Sequence, residues 1–404
     1  MPNPNTNFKT SAGVDLGSVG LTKEYLMTVY PQIANQLITP ELWVWGDNHY
    51  VHLGINATGI RCTPVTTSAG GANWKQVSSA GTYTAAIKTD GTLWTWGRNN
   101  TGQLGDNTTE NRSTPVTTFA GGTNWKQVSG GYNHAAAIKT DGTLWTWGSN
   151  SVGNLGINNT DTRCTPVTTF AGGTNWKQVS CGQHTAAIKT DGTLWIWGQN
   201  GLGTLGVNNT TNTNTPVTTF AGGTNWKQVD CGGLNHTAAI KTDGTLWTWG
   251  YNAYGQLGIN VAGTTNGRTT PVTTFAGGTN WKQVSCLARH TAAIKTDGTL
   301  WTWGHNYYGQ LGVNDGNTRC TPVTTFAGGT NWKQVAGGSY HTAAIKTDGT
   351  LWGWGYNNGS LGINDTTDRL TPVTTFAGGT NWKQVSGVRG HVAAIKTSDD
   401  LIGI

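Results

Sequence analysis

The sequence predicts an all-β protein, a seven-bladed β-propeller of four-stranded antiparallel blades. Three repeated patterns carry this expectation. Leu-Trp-x-Trp-Gly begins at Leu42, Leu93, Leu144, Leu194, Leu246, Leu300 and Leu351, at spacings of 51, 51, 50, 52, 54 and 51 residues. Asn-Trp-Lys-Gln-Val recurs seven times between Asn73 and Val385, and Thr-Pro-Val-Thr-Thr seven times between Thr63 and Thr375. The first two patterns account for all 21 tryptophans. A fixed period of this length is the signature of a repeat architecture.

Each unit reads as four short strands, A to D. In one unit, strand A is Trp125-Lys126-Gln127-Val128 and strand B is Ala135 to Lys139. The Thr140-Asp141-Gly142 turn that follows is a hairpin signal. Strand C runs from Thr143 to Trp147 and puts Trp145 and Trp147 on one face by the two-residue period of a strand. After a long loop, Thr165 to Thr169 forms strand D, where Pro166 suits an outer edge because it has no N–H for an inner ladder. Four-stranded units repeating around a ring are propeller blades.

Ring closure is also readable. The motif Leu42–Gly46 precedes any strand A, and the last strands A and B, Trp382–Lys396, lack a following Trp motif. The two fragments complete one blade. Leu401-Ile402-Gly403-Ile404 aligns with the Leu-Trp-x-Trp positions and is either a vestigial competing strand C or an added edge.

Composition narrows the function classes. Of 404 residues, 60 are Gly and only 11% are charged, a balance that favours strands and turns over helices. The net charge of +6 is spread along the chain and does not by itself imply a nucleic-acid partner. No secretory signal is visible at the N-terminus, and no stretch approaches the ~18 apolar residues of a membrane span. The expectation is a chain made in the cytoplasm without membrane insertion.

The pattern Val128-x-x-Gly131-x-x-His134, then Ala-Ile-x-x-Asp-Gly, then Trp147-Gly148-x-Asn150-x-x-Gly153-x-Leu155-Gly156 resembles the regulator-of-chromosome-condensation repeat. The resemblance covers residues 42–404 in seven copies and implies a seven-bladed propeller. Members of that family include a guanine-nucleotide exchange factor that docks on chromatin and a bacterial β-lactamase inhibitor, so fold alone does not fix activity. The exchange factor carries an inserted β-hairpin wedge. No insertion here exceeds a few residues, which argues against exchange activity.

Two domains are expected: a leader, 1–41, and the propeller, 42–404. The leader offers two short helices, Thr22–Tyr30 and Gln32–Ile38, and is too short for a core of its own. It is either a strap on the propeller or an anchor to a larger assembly. Val14-Asp15-Leu16-Gly17-Ser18 ahead of Thr22-Lys23-Glu24-Tyr25-Leu26 resembles the leaders of structural proteins of marine bacteriophages, which implies incorporation into a virion.

Nothing in the sequence resembles an enzyme site, and no cofactor is expected. His134, His184, His236, His290, His341 and His391 share one repeat position, with Tyr83 in the first unit. They read as a structural hydrogen bond repeated per blade rather than a metal site. Cys181, Cys231 and Cys286 follow strand A in consecutive units, and Cys62, Cys164 and Cys320 precede strand D. These read as free thiols, since equivalent sites on separate blades tend to lie beyond the ~7 Å Cα limit of a disulfide. Asp106, Asp161, Asp315, Asp365 and Asp368 in the C–D loops read as solvated. No phosphate-binding Gly-x-x-x-x-Gly-Lys-Ser/Thr loop occurs.

The contrast between constant and variable positions carries the functional expectation. The B–C turn is Lys-Thr-Asp-Gly in six of seven copies, and the D–A loop is Ala-Gly-Gly-Thr-Asn-Trp in six of seven. The A–B and C–D loops, which share the opposite end of the ring, differ in every copy. They bring Tyr50, Arg98, Tyr132, Tyr251, Tyr254, Arg289, His305, Tyr307, Tyr308, Tyr340, Tyr356 and Arg389. Tyr and Arg are the residue types that concentrate binding energy at interfaces. Tyr254, Tyr307, Tyr308, Arg289, Tyr340 and Arg389 are expected to form one contiguous patch for a protein or glycan ligand. The alternative is a nucleic-acid or chromatin binder using the uniform end, where the Lys126 and Lys139 positions form two rings of lysines diluted by the turn aspartates.

Overall fold

A computed structural model describes residues 39–70, 72–233 and 236–397. The leader to residue 38 and the terminal Leu401–Ile404, on which the helix, anchor and competing-strand expectations fall, lie outside the described residues. Seven four-stranded sheets follow one another, six of them with their strands hydrogen-bonded in sequence order and the seventh joining the two ends of the chain. Blades 1 to 6 begin with strands A at Trp74–Ser79, Trp125–Gly130, Trp176–Cys181, Trp226–Cys231, Trp281–Cys286 and Trp332–Gly337. Blade 7 takes strands A and B from Trp382–Val388 and His391–Thr397, and strands C and D from Pro40–Gly46 and Arg61–Thr66.

The expected strands form with small shifts of boundary. In blade 2, strand B begins at His134 and strand C spans Leu144–Gly148, because His134 pairs directly with Gly148. That position requires glycine: its φ is +100°, and a Cβ would lie 2.7 Å from the His134 Cα. Strand D, Arg163–Thr168, starts two residues earlier than its Thr-Pro motif and forms the edge of the sheet. Closure of blade 7 runs along seven residue pairs, from Pro40 opposite Thr397 to Gly46 opposite His391.

The core lies between blades. Trp125, Val128 and Trp147 of blade 2 pack on Ala85, Ile87, Leu93 and Leu104 of blade 1. Trp125 sets its edge against Trp145 and Trp147, with centroids 6.2 and 6.4 Å apart, and the Lys139 ammonium lies over Trp125 and Trp145 at 4.7 and 4.4 Å. Edge-to-face geometry and a cation on a ring face both follow the aromatic quadrupole. The inner Trp of every strand C also donates its Nε1–H to a carbonyl in the preceding blade's C–D loop, as Trp147 does to Gln103 at 2.9 Å and Trp45 to Ser360 at 2.9 Å.

Two further sets of polar links join the blades. Each strand A glutamine reaches the next strand A twice: Gln178 Nε2 donates to Val229 O at 2.9 Å, and Val229 N donates back to Gln178 Oε1 at 3.1 Å. The pairing recurs at every junction, ending with Gln384 and Val77, 307 residues apart, where the two ends of the chain meet. Farther out, buried His134, His184, His236 and His290 contact the hydroxyl of Thr185, Thr237, Thr291 and Thr342 in the following blade at 2.7–3.0 Å. These four histidines are therefore structural links; the expected bond does not recur at His341, where the following blade carries Val392 in place of the threonine, or at His391, and Nε2 of each is buried without a hydrogen-bond partner. Tyr83 fills the same role in blade 1, its hydroxyl donating to His134 O at 2.5 Å.

These links yield two expected outcomes. Gln178→Leu leaves the buried Val229 amide and carbonyl without partners, so it should cost about 3 kcal/mol, whereas exposed Lys177→Ala should stay within about 0.5 kcal/mol. Urea denaturation checks this, and equal midpoints would show that the clamp contributes nothing. The second outcome concerns acid. Burial lowers His52, His134 and His341 to about 4 and His184 to about 3, and holds His290 and His391 well below the usual value. The unfolded chain therefore takes up these protons first. Stability is full above about pH 6.5 and is lost as pH falls toward 4, through the folded values. With several histidines acting together, the melting temperature should drop by more than ~10 °C between pH 7 and pH 5. A flat profile over that interval would contradict the assignment of these histidines as buried neutral groups.

Candidate functional site

Antiparallel order within each blade puts the A–B and C–D loops at one end of the ring and the B–C turns and D–A loops at the other. Packing explains why the second end is uniform. The Asp141 carboxylate accepts from Thr143 N and Thr143 Oγ at 2.9 and 2.7 Å, and Thr143 Oγ accepts from Trp145 Nε1 at 2.9 Å. The Thr143 amide and hydroxyl hold that carboxyl below its ordinary value. Gly142 has φ +80°, and a Cβ there would meet Thr174 O of the D–A loop at 2.0 Å. Asp141, Gly142, Thr143 and Trp145 of this run thus each have a fixed structural task. Sequence reasoning missed one feature of this end. The D–A loops carry Phe119, Phe170, Phe220, Phe275, Phe326 and Phe376 at 64–66% exposure.

At the variable end the loop frame is fixed and its decoration is not. The buried Asn150 of the blade 2 C–D loop accepts from Leu155 N at 2.9 Å and donates to Asn159 O at 2.8 Å. Equivalent asparagines hold the same frame in other blades, including Asn252 and Asn306. The residues between these anchors are free to vary. The acidic residues expected to be solvated are in part framework too. Asp106 is nearly buried, pairs with Arg112 at 2.8 Å and accepts from Asn99 at 3.0 Å, and Asp315 and Asp365 pair with Arg319 and Arg369.

The structure gathers most of the sequence-predicted site residues into one cluster across blades 4, 5 and 6. Tyr251 meets Tyr254 at 6.4 Å, Tyr254 meets His305 at 4.9 Å, and His305 meets Tyr308 at 6.5 Å. Tyr308 is the hub, with Tyr307, Tyr340 and Tyr356 at 5.0, 5.2 and 5.0 Å. The Arg289 guanidinium sits over Tyr254 and Tyr340 at 5.1 and 5.4 Å. Burial, and then the charge of Arg289, lower His305, whose Nδ1 lies 2.7 Å from Gln310 Nε2. Tyr307 is 73% exposed and Tyr356 is exposed beside it, while the other rings are half-buried and held by their neighbours.

Arg389 departs from the expected single patch. Its guanidinium lies 4.2 Å from the Tyr132 ring centroid, two blades along, and Arg98 lies over Tyr50 at 4.9 Å. The intervening blade 1 has only the small residues Ala80, Gly81 and Thr82, all buried, in its A–B loop. A side chain at Gly81 would meet Tyr132 O at 2.6 Å. The twelve residues therefore form an aromatic cluster of eight and a second group of Tyr50, Arg98, Tyr132 and Arg389.

The six cysteines are free. Cys181, Cys231 and Cys286 are buried beside the central axis, and burial pushes the Cys181 thiol up to about 12. Cys164 lies under the blade 1 loop, where a Cβ on Gly102 would be 2.7 Å from its Sγ. Among the described residues no group of three His, Cys, Asp or Glu side chains is placed to hold a metal ion.

Comparison with known proteins agrees with this geometry. The RCC1-like domain matches residues 119–403, and the regulator of chromosome condensation (RCC1) repeat matches residues 90–138 and 74–103. The ultraviolet-B receptor UVR8 of Arabidopsis thaliana is 34% identical over 319 residues, covering 78% of this chain. The human X-linked retinitis pigmentosa GTPase regulator is 32% identical over 277 residues, covering 68% of this chain. The matched regions span 60% and 27% of those relatives, respectively. Among solved structures, human WBSCR16 superposes with a TM-score of 0.77 at 21% identity, covering 89% of this chain and all of that one. Prp20p from Saccharomyces cerevisiae, described with its binding to Gsp1p and histones, superposes with a TM-score of 0.78 at 19% identity over 90% of this chain and 93% of its own.

Proposed function

The chain belongs to the RCC1-like propeller family, and from that premise we propose that it is a non-catalytic binding module whose A–B and C–D loops receive a protein ligand. The observation that carries the proposal is the cluster centred on Tyr308, in which rings from three blades brace one another at the end where the repeats differ. Braced aromatic side chains lose little conformational freedom on binding, so the ordering cost of association is reduced. Unconstrained drift supplies no reason for tyrosines from separate loops to meet around a single ring. A glycan would also suit stacked tyrosines and is a second outcome of the same test.

The lysine-bearing end supports the rival nucleic-acid reading less well. The Lys139 class spends its ammonium groups on the tryptophan faces, leaving the Lys126 class and the exposed phenylalanines as the free surface. Attachment to a larger assembly through residues 1–41, a virion among the choices, belongs to this proposal on the strength of the leader's sequence alone.

The experiment is affinity capture with the intact chain, followed by calorimetry on the captured ligand. Tyr307→Ala with Tyr308→Ala should weaken binding by at least ~2 kcal/mol with an unchanged circular-dichroism spectrum. Thr140→Ala and Lys126→Ala, at the uniform end, should leave affinity unchanged. Loss confined to the uniform-end variants would overturn the proposal, and a steep salt dependence of that loss would point to nucleic acid.

A further inference from the structure

The propeller axis opens at the variable end into a cavity of about 370 Å³. The A–B loops form its mouth, including Tyr132, Leu287, Ser339 and Arg389, and the ends of the A strands form its wall. One position of the repeat, the residue after the strand A valine, faces this cavity from every blade. It is Ser78, Ser129, Ser180, Ser285 and Ser386 in five blades, Ala336 in blade 6 and Asp230 in blade 4.

The serines show what the position does for the fold. Ser129 Oγ accepts from Cys181 N, and Ser180 Oγ from Cys231 N, each at 2.9 Å. Asp230 keeps that contact, its Oδ2 accepting from Cys286 N at 2.7 Å, while Oδ1 accepts from Ser180 Oγ at 3.0 Å. A serine would satisfy the same amide. The carboxylate therefore adds a negative charge that the fold does not need. Burial pushes this carboxyl up to about 6 despite the donors around it, so its charge is under-compensated where it stands. None of the ion pairs among the described residues includes Asp230. The Ser285 hydroxyl also bonds the carboxylate, and the neighbouring thiols of Cys231 and Cys286 are held far above their ordinary values by burial and by Asp230 itself. Among the described residues, the one guanidinium lining the cavity, on Arg389, is held over the Tyr132 ring.

We propose that the axial cavity is a subsite for a single organic cation, an ammonium or guanidinium group, bound by Asp230 within the ring of serine hydroxyls. Three donors of an ammonium group match a carboxylate oxygen and two hydroxyls, and the carboxylate gains the counter-charge it lacks. The cavity is large enough for a lysine or arginine side chain and is reached between the A–B loops. On the binding-face reading, on which this part rests, the cation is a basic side chain of the protein ligand, with the tyrosine cluster holding the surrounding surface. The cation subsite itself stands on the cavity and on Asp230.

Saturation-transfer NMR with the full chain tests it. The probes are N-acetyl-lysine methylamide, N-acetyl-arginine methylamide and the uncharged N-acetyl-norleucine methylamide, with butylammonium as the free-amine arm. Asp230→Ser restores the residue found in five other blades, so the fold is preserved and circular dichroism verifies it. The expected result is binding of the cationic probes, at least ~10-fold weaker in Asp230→Ser, with no binding of the norleucine probe. Tighter binding of the amino-acid amides than of butylammonium supports a side chain as the source, and the reverse order assigns the site to a free amine. Tyr307→Ala with Tyr308→Ala should leave probe binding intact, which separates failure of this inference from failure of the binding-face reading. Equal affinity of native and Asp230→Ser chains, equal binding of the norleucine probe, or no binding of either cationic amide overturns the proposal.

Discussion

The glutamine clamp on strand A is the interaction on which the ring depends. A four-stranded blade has an inner edge whose amides and carbonyls face the axis, and an exposed strand edge is a liability. Here each inner edge is tied to the next by one side chain that both donates and accepts, as Gln178 does to Val229. Because the amide group matches a backbone peptide, the pairing extends the hydrogen-bond network sideways from sheet to sheet. The last clamp, from Gln384 to Val77, joins the two ends of the sequence. The strand exchange in blade 7 and the tryptophan packing between blades both rely on the blade spacing that this ring sets. The hydrophobic packing supplies most of the burial, and the clamps fix the register.

With the ring so fixed, its two ends carry different constraints. At the B–C end, Asp141, Thr143 and Trp145 are joined by hydrogen bonds, and a Cβ on Gly142 has nowhere to go. At the A–B end, the asparagine anchors, the loop glycines and the paired acidic residues are committed, and the exposed residues between them differ from copy to copy. A rigid frame beneath freely varied loops is the arrangement in which binding residues concentrate. The tyrosine cluster and Asp230 both lie toward this end, one on the rim and one on the axis.

Most of the fold was legible in the sequence because the repeat is nearly perfect. Blade count, strand order, the edge position of Pro166 and the shared closing blade all follow from spacing and strand chemistry. The candidate face was legible in outline, since loops at one end must differ together. Two things were not. Arg389 was placed with Tyr340, but its guanidinium lies over Tyr132 two blades along, a three-dimensional relation that residue spacing does not encode. The role of Gln178 and its equivalents was hidden because a glutamine beside an exposed lysine reads as surface. Asp230 had a signal that went unused: within near-identical repeats, a Ser-to-Asp change after the strand A valine is informative in itself.

The central claim is that constant residues build the scaffold and variable residues bind. Seven copies of residues 176–225, a unit containing no Tyr or Arg, would keep the tryptophans, clamps and turns and remove the variable decoration. Capture of the natural ligand by this idealised ring, measured beside the native chain, tests the claim most directly. The account predicts a folded ring that captures nothing. Capture at native affinity would contradict it.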